Sequence, residues 1–291
     1  ALACAGVAGR VEVLAFEESR AGIFQPGYLV AVDYEHGRVV VALRGTSSVT
    51  DALADLVCRP VPLTLGGHEG LAHEGMLKAA RLLDATLAAL VERGLERLQL
   101  QHPQGRPRVL VCGHSLGARV AALVTLLWRD AGRFPGVDAR CIAFACPQVL
   151  DAGLAAAASN HTTTVVVGDD LVPRLSLATA TDLRSAMLLL SDSTDHSSDR
   201  LPDVRSVLAA ADRGEAHYLA DAYAALRRAA GTAPGRLFPA GHLVHLLPGQ
   251  APQACGHDTV DELIISPDMA AAHLPQRYLS AIQEVSLRGG G

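Results

Sequence analysis

The feature that most constrains this chain is a serine enclosed by two glycines, between two apolar runs of unequal length. Residues 108–128 read RVLVCGHSLGARVAALVTLLW. The short run before Gly113 predicts a strand, and the long run after Gly117 predicts a helix over residues 117–130. Glycine at both flanks suits a tight, crowded turn between them. This context predicts a nucleophilic Ser115. The alternative is an ordinary loop serine, because 27 glycines make a chance match possible.

Other apolar and β-branched runs alternate with helical patterns. They predict strands at 28–32, 38–43, 108–112, 140–145, 163–167, 242–247 and 260–265. Apolar residues spaced three and four apart predict a helix over 74–94, with Gly94 at its C-terminal cap. A second helical pattern covers residues 208–230. Strands alternating with helices predict an α/β fold with a mostly parallel sheet and helices on both faces.

The length of the chain suits a single domain. With 291 residues and 49% hydrophobic content, it can bury one sizeable core. The more polar stretch at 191–235 begins with SDSTDHSSD and is predicted as an insertion over the sheet rather than a separate domain. We therefore expect one domain over 1–291. The insertion and the segment 50–67 are both candidate lids.

A serine nucleophile needs a base, and the base needs an acid that orients it. Asp169 and Asp170 follow the strand predicted at 163–167, and active-site groups often sit just past strand ends in such sheets. His273 lies between the strand predicted at 260–265 and a final helix. From position alone, either aspartate could be the acid.

Three further polar residues have other interpretations. His114 is too close in sequence to serve Ser115 as its base, so we expect it to pack beside the turn. His73 is predicted to have a structural role. Arg174 is a candidate partner for a carboxylate near the site.

Composition excludes several functional classes. The net charge is −5 and the cationic residues are scattered, which argues against a nucleic-acid partner. The apolar runs are too short for a transmembrane segment. The first ten residues lack the basic region of a signal peptide, so none is predicted. No cofactor, nucleotide or metal motif is present, and the six cysteines show no CxxC spacing. Cysteines within apolar runs suggest reduced thiols and favour an intracellular setting.

Six blocks together carry a resemblance to a known family. They are VVVALRGTSSVTDALADL, AHEGMLKAA, GHSLG, FACPQVLD, GDDLVPRLS and AHLPQRYLSAI, in this order. The chain resembles the class 3 lipases over residues 26–283, and most of all the catalytic domain of the diacylglycerol lipases. The resemblance implies an α/β-hydrolase fold.

The resemblance also implies roles for individual residues. Ser115 matches the nucleophile, Asp170 the triad acid and His273 the triad base. Thr46 and Leu116 match the two oxyanion-hole positions. One departure is Ala272, since many class 3 lipases have aspartate before the histidine.

The implied activity is hydrolysis of acylglycerols at a membrane or droplet surface, with diacylglycerol yielding monoacylglycerol and fatty acid. No cofactor or metal is expected. A phospholipase A1 or a galactolipase is an alternative, and a non-catalytic lipid-binding scaffold is another. The implied location is intracellular, either peripheral to a membrane or as the cytoplasmic part of a longer membrane protein.

Overall fold

In a computed structural model, residues 11–18, 26–45, 59–192 and 202–289 are described. The strands follow the aliphatic and β-branched runs. They are β1 (Val11–Glu17), β2 (Tyr28–Asp33), β3 (Arg38–Leu43), β4 (Pro60–Leu65), β5 (His68–His73), β6 (Arg108–His114), β7 (Asp138–Phe144), β8 (Thr162–Val167), β9 (His242–Leu246) and β10 (Gln253–Cys255). The helices are α1 (Glu74–Gln101), α2 (Leu116–Asp130), α3 (Ala152–Ala157), α4 (Leu177–Asp192), α5 (Val204–Asp212), α6 (Ala216–Ala230) and α7 (Pro275–Gly289).

Within the described residues, eight strands form one sheet in the order β1-β2-β3-β6-β7-β8-β9-β10. Strands β3, β6, β7, β8 and β9 run parallel to their neighbours in this series. Antiparallel pairing adds β1 and β2 at one edge and β10 at the other. Strands β4 and β5 form a separate hairpin. The prediction of a mostly parallel sheet is confirmed, and its parallel strands all end at one edge.

Helix α2 lies in the main hydrophobic core and is buried on most of its faces. It packs against β3, β6, β7 and α1. This burial explains why the run after Ser115 is apolar almost throughout, since a helix enclosed by protein has no face that favours polar residues.

The helix predicted over 74–94 does not end at Gly94, so that prediction was wrong. Helix α1 continues to Gln101. A Cβ on Gly94 would lie 2.8 Å from Cγ2 of Val39 and 3.2 Å from Cδ1 of Leu14. The glycine therefore allows α1 to approach the sheet closely and is not a cap.

The strand predicted at 260–265 was also wrong. The chain forms a short 3-10 helix at His257–Val260, and the described residues 261–265 form no strand. The side chain of Val260 is fully buried against Val166 and Leu243. The apolar residue therefore fills the core from a turn, which the pattern alone does not distinguish from a strand.

Sequence patterns missed some elements and merged others. Strands β1, β4, β5 and β10 were not predicted. The pattern at 208–230 is two helices, α5 and α6, separated at Gly214, which has a φ of +69°. Glycine adopts this left-handed conformation without the steric cost of a side chain.

The chain divides into two compact units, Ala1–Leu175 with Leu237–Gly291, and Ser176–Arg236. The insertion predicted at 191–235 falls inside the second unit, which also contains α4. Within this unit, α6 packs against α4 and α5. Asp182 accepts a hydrogen bond from the backbone of Ala233 at 2.8 Å and pairs with Arg236.

Two general properties concern the part of the chain that the structure describes. None of its helices is both long and apolar enough to cross a membrane. Its cysteines, Cys112, Cys141, Cys146 and Cys255, are free thiols.

Candidate active site

Ser115 forms the turn between β6 and α2. Its φ of 59° and ψ of −125° lie outside the regions that L-residues prefer. A Cβ on Gly113 would overlap the backbone of Gly117, and a Cβ on Gly117 would overlap the carbonyl of Leu43. The Ser115 N–H donates to the carbonyl of Phe144 at 2.9 Å. The crowding that the sequence predicted at this turn is therefore present.

The end of β3 approaches the same turn. A Cβ on Gly45 would lie 2.5 Å from the carbonyl oxygen of His114 and 3.3 Å from the Cβ of Ser115. The backbone that leads to the first proposed oxyanion position is thus next to the serine. Thr46 itself lies outside the described residues, as do residues 50–58 of the candidate lid at 50–67. Residues 60–65 of that segment form β4.

Leu116 is the first residue of α2, and its side chain is buried. The N–H groups of the first helical turn have no acceptor within the helix. The N-terminal end of a helix also carries a partial positive charge. The backbone N–H of Leu116 is therefore a suitable donor to an anion that forms at Ser115.

Asp170 lies just past the end of β8 and is fully buried. Its N–H donates to the carbonyl of Val167 at 3.1 Å, and its Oδ1 accepts from the N–H of Val172 at 2.9 Å. Both carboxylate oxygens lie 3.1 Å from Nδ1 of His273. Asp169 is only half-buried. The geometry therefore favours Asp170 as the partner of the histidine.

His273 connects the other two residues of the site. It lies in the turn that precedes α7, and its Nε2 is 3.0 Å from Oγ of Ser115. Met269, in the same turn, accepts a backbone hydrogen bond from Leu171 at 3.2 Å. This bond ties the histidine turn to the aspartate turn. Ala272 is buried, so the position where many class 3 lipases have aspartate is occupied here by a packed methyl group.

His114 packs beside this row, as the sequence predicted. Its ring centroid is 4.8 Å from that of His273 and 5.3 Å from that of Tyr278. Burial, followed by the nearby charge of His273, lowers the pKa of His114 to about 4. His114 is therefore neutral around pH 7 and adds no charge beside His273.

Tyr278 is a contact of the site that sequence reasoning missed. Its hydroxyl donates to Oδ2 of Asp170 at 2.6 Å, and its ring is buried. A signal was available, because Tyr278, Ala281 and Val285 lie on one face of the final helix and form a core face. A buried tyrosine hydroxyl usually has a hydrogen-bond partner. The sequence did not indicate which residue that partner is.

His73 and Arg174 support the surrounding backbone. Nδ1 of His73 accepts from the N–H of Met76 at 3.4 Å and caps α1, so the structural interpretation of His73 is confirmed. Arg174 is buried and donates to the carbonyl of Thr259. Burial lowers the pKa of Arg174, while the negative charges of Asp169 and Asp170 act in the opposite direction.

A cavity of about 440 Å³ lies at the opposite end of the parallel strands. The β2–β3 turn and the loop between α1 and β6 line it, and none of the residues around Ser115 does. Among the described residues, no cluster of three or more His, Cys, Asp or Glu side chains could hold a metal ion.

Comparisons with known proteins show which proteins this chain is similar to. The model of the family described as lipase (class 3) matches residues 40–180. Diacylglycerol lipase-alpha of Homo sapiens is 27% identical in an alignment of 302 positions, gaps included, that covers 90% of this chain and 27% of that protein. Diacylglycerol lipase-beta of Mus musculus is 34% identical over 169 residues, which are 57% of this chain and 24% of that protein. The chain thus spans about a quarter of the length of these two relatives.

A solved structure supports the fold. The crystal structure of the mono- and diacylglycerol lipase from Aspergillus oryzae superposes with a TM-score of 0.50 at 27% identity. The match covers 60% of this chain and 62% of that one. The predicted α/β-hydrolase fold is confirmed. Residues 40–180, which include the turn around Ser115, are similar to the class 3 lipases.

Proposed function

We propose that this chain is a serine ester hydrolase that cleaves acyl esters of acylglycerols, with diacylglycerol as its substrate. The observation that carries the proposal is the row of contacts at Ser115. Nε2 of His273 is 3.0 Å from the serine oxygen, and Nδ1 is 3.1 Å from the buried carboxylate of Asp170. The names of the relatives support the substrate class. This chain spans only about a quarter of the length of each of these relatives.

In the proposed reaction, His273 takes the proton from Ser115 as Oγ attacks the ester carbonyl. Asp170 holds the imidazole in the tautomer that accepts at Nε2, and it stabilises the positive charge that develops. The imidazolium then donates its proton to the departing alcohol, which leaves an acyl-enzyme. Water attacks the acyl-enzyme by the same route and releases the fatty acid.

The developing oxyanion needs donors in fixed positions. We assign this role to the backbone N–H groups of Leu116 and Thr46. Leu116 begins α2, where the helix dipole favours negative charge. Loss of one such donor in comparable sites lowers the rate by an amount equivalent to about 3 kcal/mol.

The proposed substrate implies a lipid surface as the place of action. Diacylglycerol is sparingly soluble, so a membrane or a droplet would present it. We propose that residues 1–291 serve as one catalytic domain, with the residues near 191–235 as an insertion in it.

The first test is release of fatty acid from a long-chain diacylglycerol emulsion. Ser115→Ala removes the nucleophile, so turnover is expected to fall on the order of a thousandfold or more. The control is Ser286→Ala, which changes an exposed serine of α7 and is expected to retain full turnover. Phosphatidylcholine vesicles and a galactolipid, assayed in parallel, test the alternative substrates.

Two outcomes would contradict the proposal. Full activity in the Ser115→Ala variant would exclude Ser115 as the nucleophile. Faster hydrolysis of phosphatidylcholine or galactolipid than of diacylglycerol would exclude the substrate assignment. If the intact chain releases no acid, labelling by a fluorophosphonate separates a wrong substrate from a non-catalytic scaffold, because only an activated serine reacts with this reagent.

A further inference from the structure

Tyr278 lies behind the row of contacts at Ser115. It is five residues after His273, in the first turns of α7, and its side chain is 3% exposed. Its hydroxyl donates to Oδ2 of Asp170 at 2.6 Å and accepts from the N–H of Val167 at 3.3 Å. The phenol therefore connects the end of β8 to the aspartate.

The bond to Tyr278 limits how Asp170 can rotate. The N–H of Val172 donates to Oδ1 at 2.9 Å, while Tyr278 donates to Oδ2. With one donor on each oxygen, the carboxylate has a fixed plane, and His273 lies 3.1 Å from both oxygens. Hydrogen bonds to an ionised carboxylate are shorter and stronger than neutral ones. The 2.6 Å contact fits such a bond.

The phenol ring is itself held in place. It packs edge-on against His114 and Phe144, with ring centroids 5.3 Å and 6.4 Å apart. It also belongs to a buried cluster that includes Val165 and Leu246. Burial, followed by the charge of Asp170, raises the pKa of Tyr278 well above its usual range. The hydroxyl therefore keeps its proton and remains a donor throughout the neutral range.

We propose that Tyr278 is a positioning residue whose hydroxyl fixes the Asp170 carboxylate, so that His273 stays aligned with Ser115 during proton transfer. This inference rests on the proposed function. Tyr278 does not touch the reacting atoms. Its hydroxyl also withdraws negative charge from Asp170, which reduces the stabilisation of a protonated His273.

The test is Tyr278→Phe, assayed with a soluble short-chain p-nitrophenyl ester from pH 5 to 9. Loss of the donor should lower kcat by about tenfold, because the imidazole is less well aligned. KM should change by less than about twofold, because no substrate contact is removed. The acid-side midpoint of kcat/KM should move to higher pH, because the carboxylate then stabilises protonated His273 more strongly.

Tyr34→Phe is a matched control. The hydroxyl of Tyr34 donates to Glu12 at 2.7 Å, far along the chain from the site. This variant loses a phenol–carboxylate bond of the same kind, and it should leave kcat and the pH profile unchanged. Thermal unfolding of each variant shows whether the fold is intact.

A second variant tests the same hydrogen bond, and it serves alone if Tyr278→Phe does not fold; an unchanged acid-side midpoint in it would then overturn the proposal. A site-specific 3,5-difluorotyrosine at position 278 keeps the shape and donates more strongly, so the acid-side midpoint should move to lower pH. The proposal is supported if the acid-side midpoint moves to higher pH in Tyr278→Phe and to lower pH in the difluorotyrosine variant. A purely structural role of the phenol does not predict opposite shifts of the midpoint. Unchanged kcat and midpoint in Tyr278→Phe would overturn it. If the unmodified chain hydrolyses no ester and fluorophosphonate does not label Ser115, the proposed function fails instead.

Discussion

At the residue scale, the site depends on a backbone conformation that few residues adopt. Ser115 has a φ of 59° and a ψ of −125°, and Ala145 at the end of β7 has a φ of 51°. Non-glycine residues held in such regions cost on the order of 1–3 kcal/mol each. At Ser115 this conformation turns the side chain towards His273. The cost is offset by the packing of β6 and α2 on either side.

Replacing Ser115 by glycine should therefore stabilise the fold relative to Ser115→Ala. Both variants lack the hydroxyl, but only glycine removes the Cβ from a strained position. After the greater freedom of glycine in the unfolded chain is subtracted, we expect a gain of about 1 kcal/mol in the free energy of unfolding. Urea denaturation of the two variants measures it. Equal midpoints would show that the turn is not strained by the side chain.

At the element scale, the structure differs from the sequence pattern where a helix meets the sheet. The apolar spacing in α1 correctly predicted which face is buried, because local periodicity encodes that face. It did not predict that the helix continues through Gly94. Gly94 packs within the helix against Val39, a β3 residue 55 positions earlier in the chain. A contact between remote segments leaves no mark in the local pattern.

Gly94→Ala tests this close approach. Alanine should favour a helix by about 1 kcal/mol, but its Cβ would lie 2.8 Å from a methyl group of the fully buried Val39. Overpacking of this kind costs about 1–3 kcal/mol, so we expect a net loss of about 1 kcal/mol. Chemical denaturation measures the change.

Two further variants control the Gly94 experiment. In a Val39→Ala background the clash is relieved, so Gly94→Ala should become stabilising. Gly153→Ala in α3 places a Cβ no closer than 3.6 Å to a neighbour, so without a clash it should leave stability unchanged or raise it by up to about 1 kcal/mol. Stabilisation by Gly94→Ala alone would contradict the proposed contact.

At the scale of the whole molecule, burial makes stability depend on pH. Burial lowers the pKa of His114 and of His161 to about 4, and it lowers that of His257 as well. An unfolded chain would bind protons at these residues near pH 6.5, where the folded chain does not. The folded state should therefore be favoured at neutral pH and lose stability in mild acid.

The free energy of unfolding should be fully retained above about pH 6.5 and should fall as the pH decreases towards 4. In this window the unfolded chain takes up protons that the folded chain excludes. Urea titrations at pH 7.5, 6, 5 and 4.5 measure how steeply the free energy of unfolding changes with pH. In His114→Gln this slope should be shallower, because one contributing imidazole is absent. A slope unchanged in this variant would show that His114 is not held neutral by the fold.

The sequence by itself determined the strand–turn–helix around Ser115, most strands of the sheet, and the positions of Asp169, Asp170 and His273 as candidates for the acid and the base. These features follow from short-range physics, since side-chain periodicity and backbone crowding act over a few residues. The tertiary structure decided the rest. Tyr278 meets Asp170 across 108 positions, and His273 meets Ser115 across 158. Such contacts exist only after the sheet brings distant turns to one edge, so no local pattern could predict them.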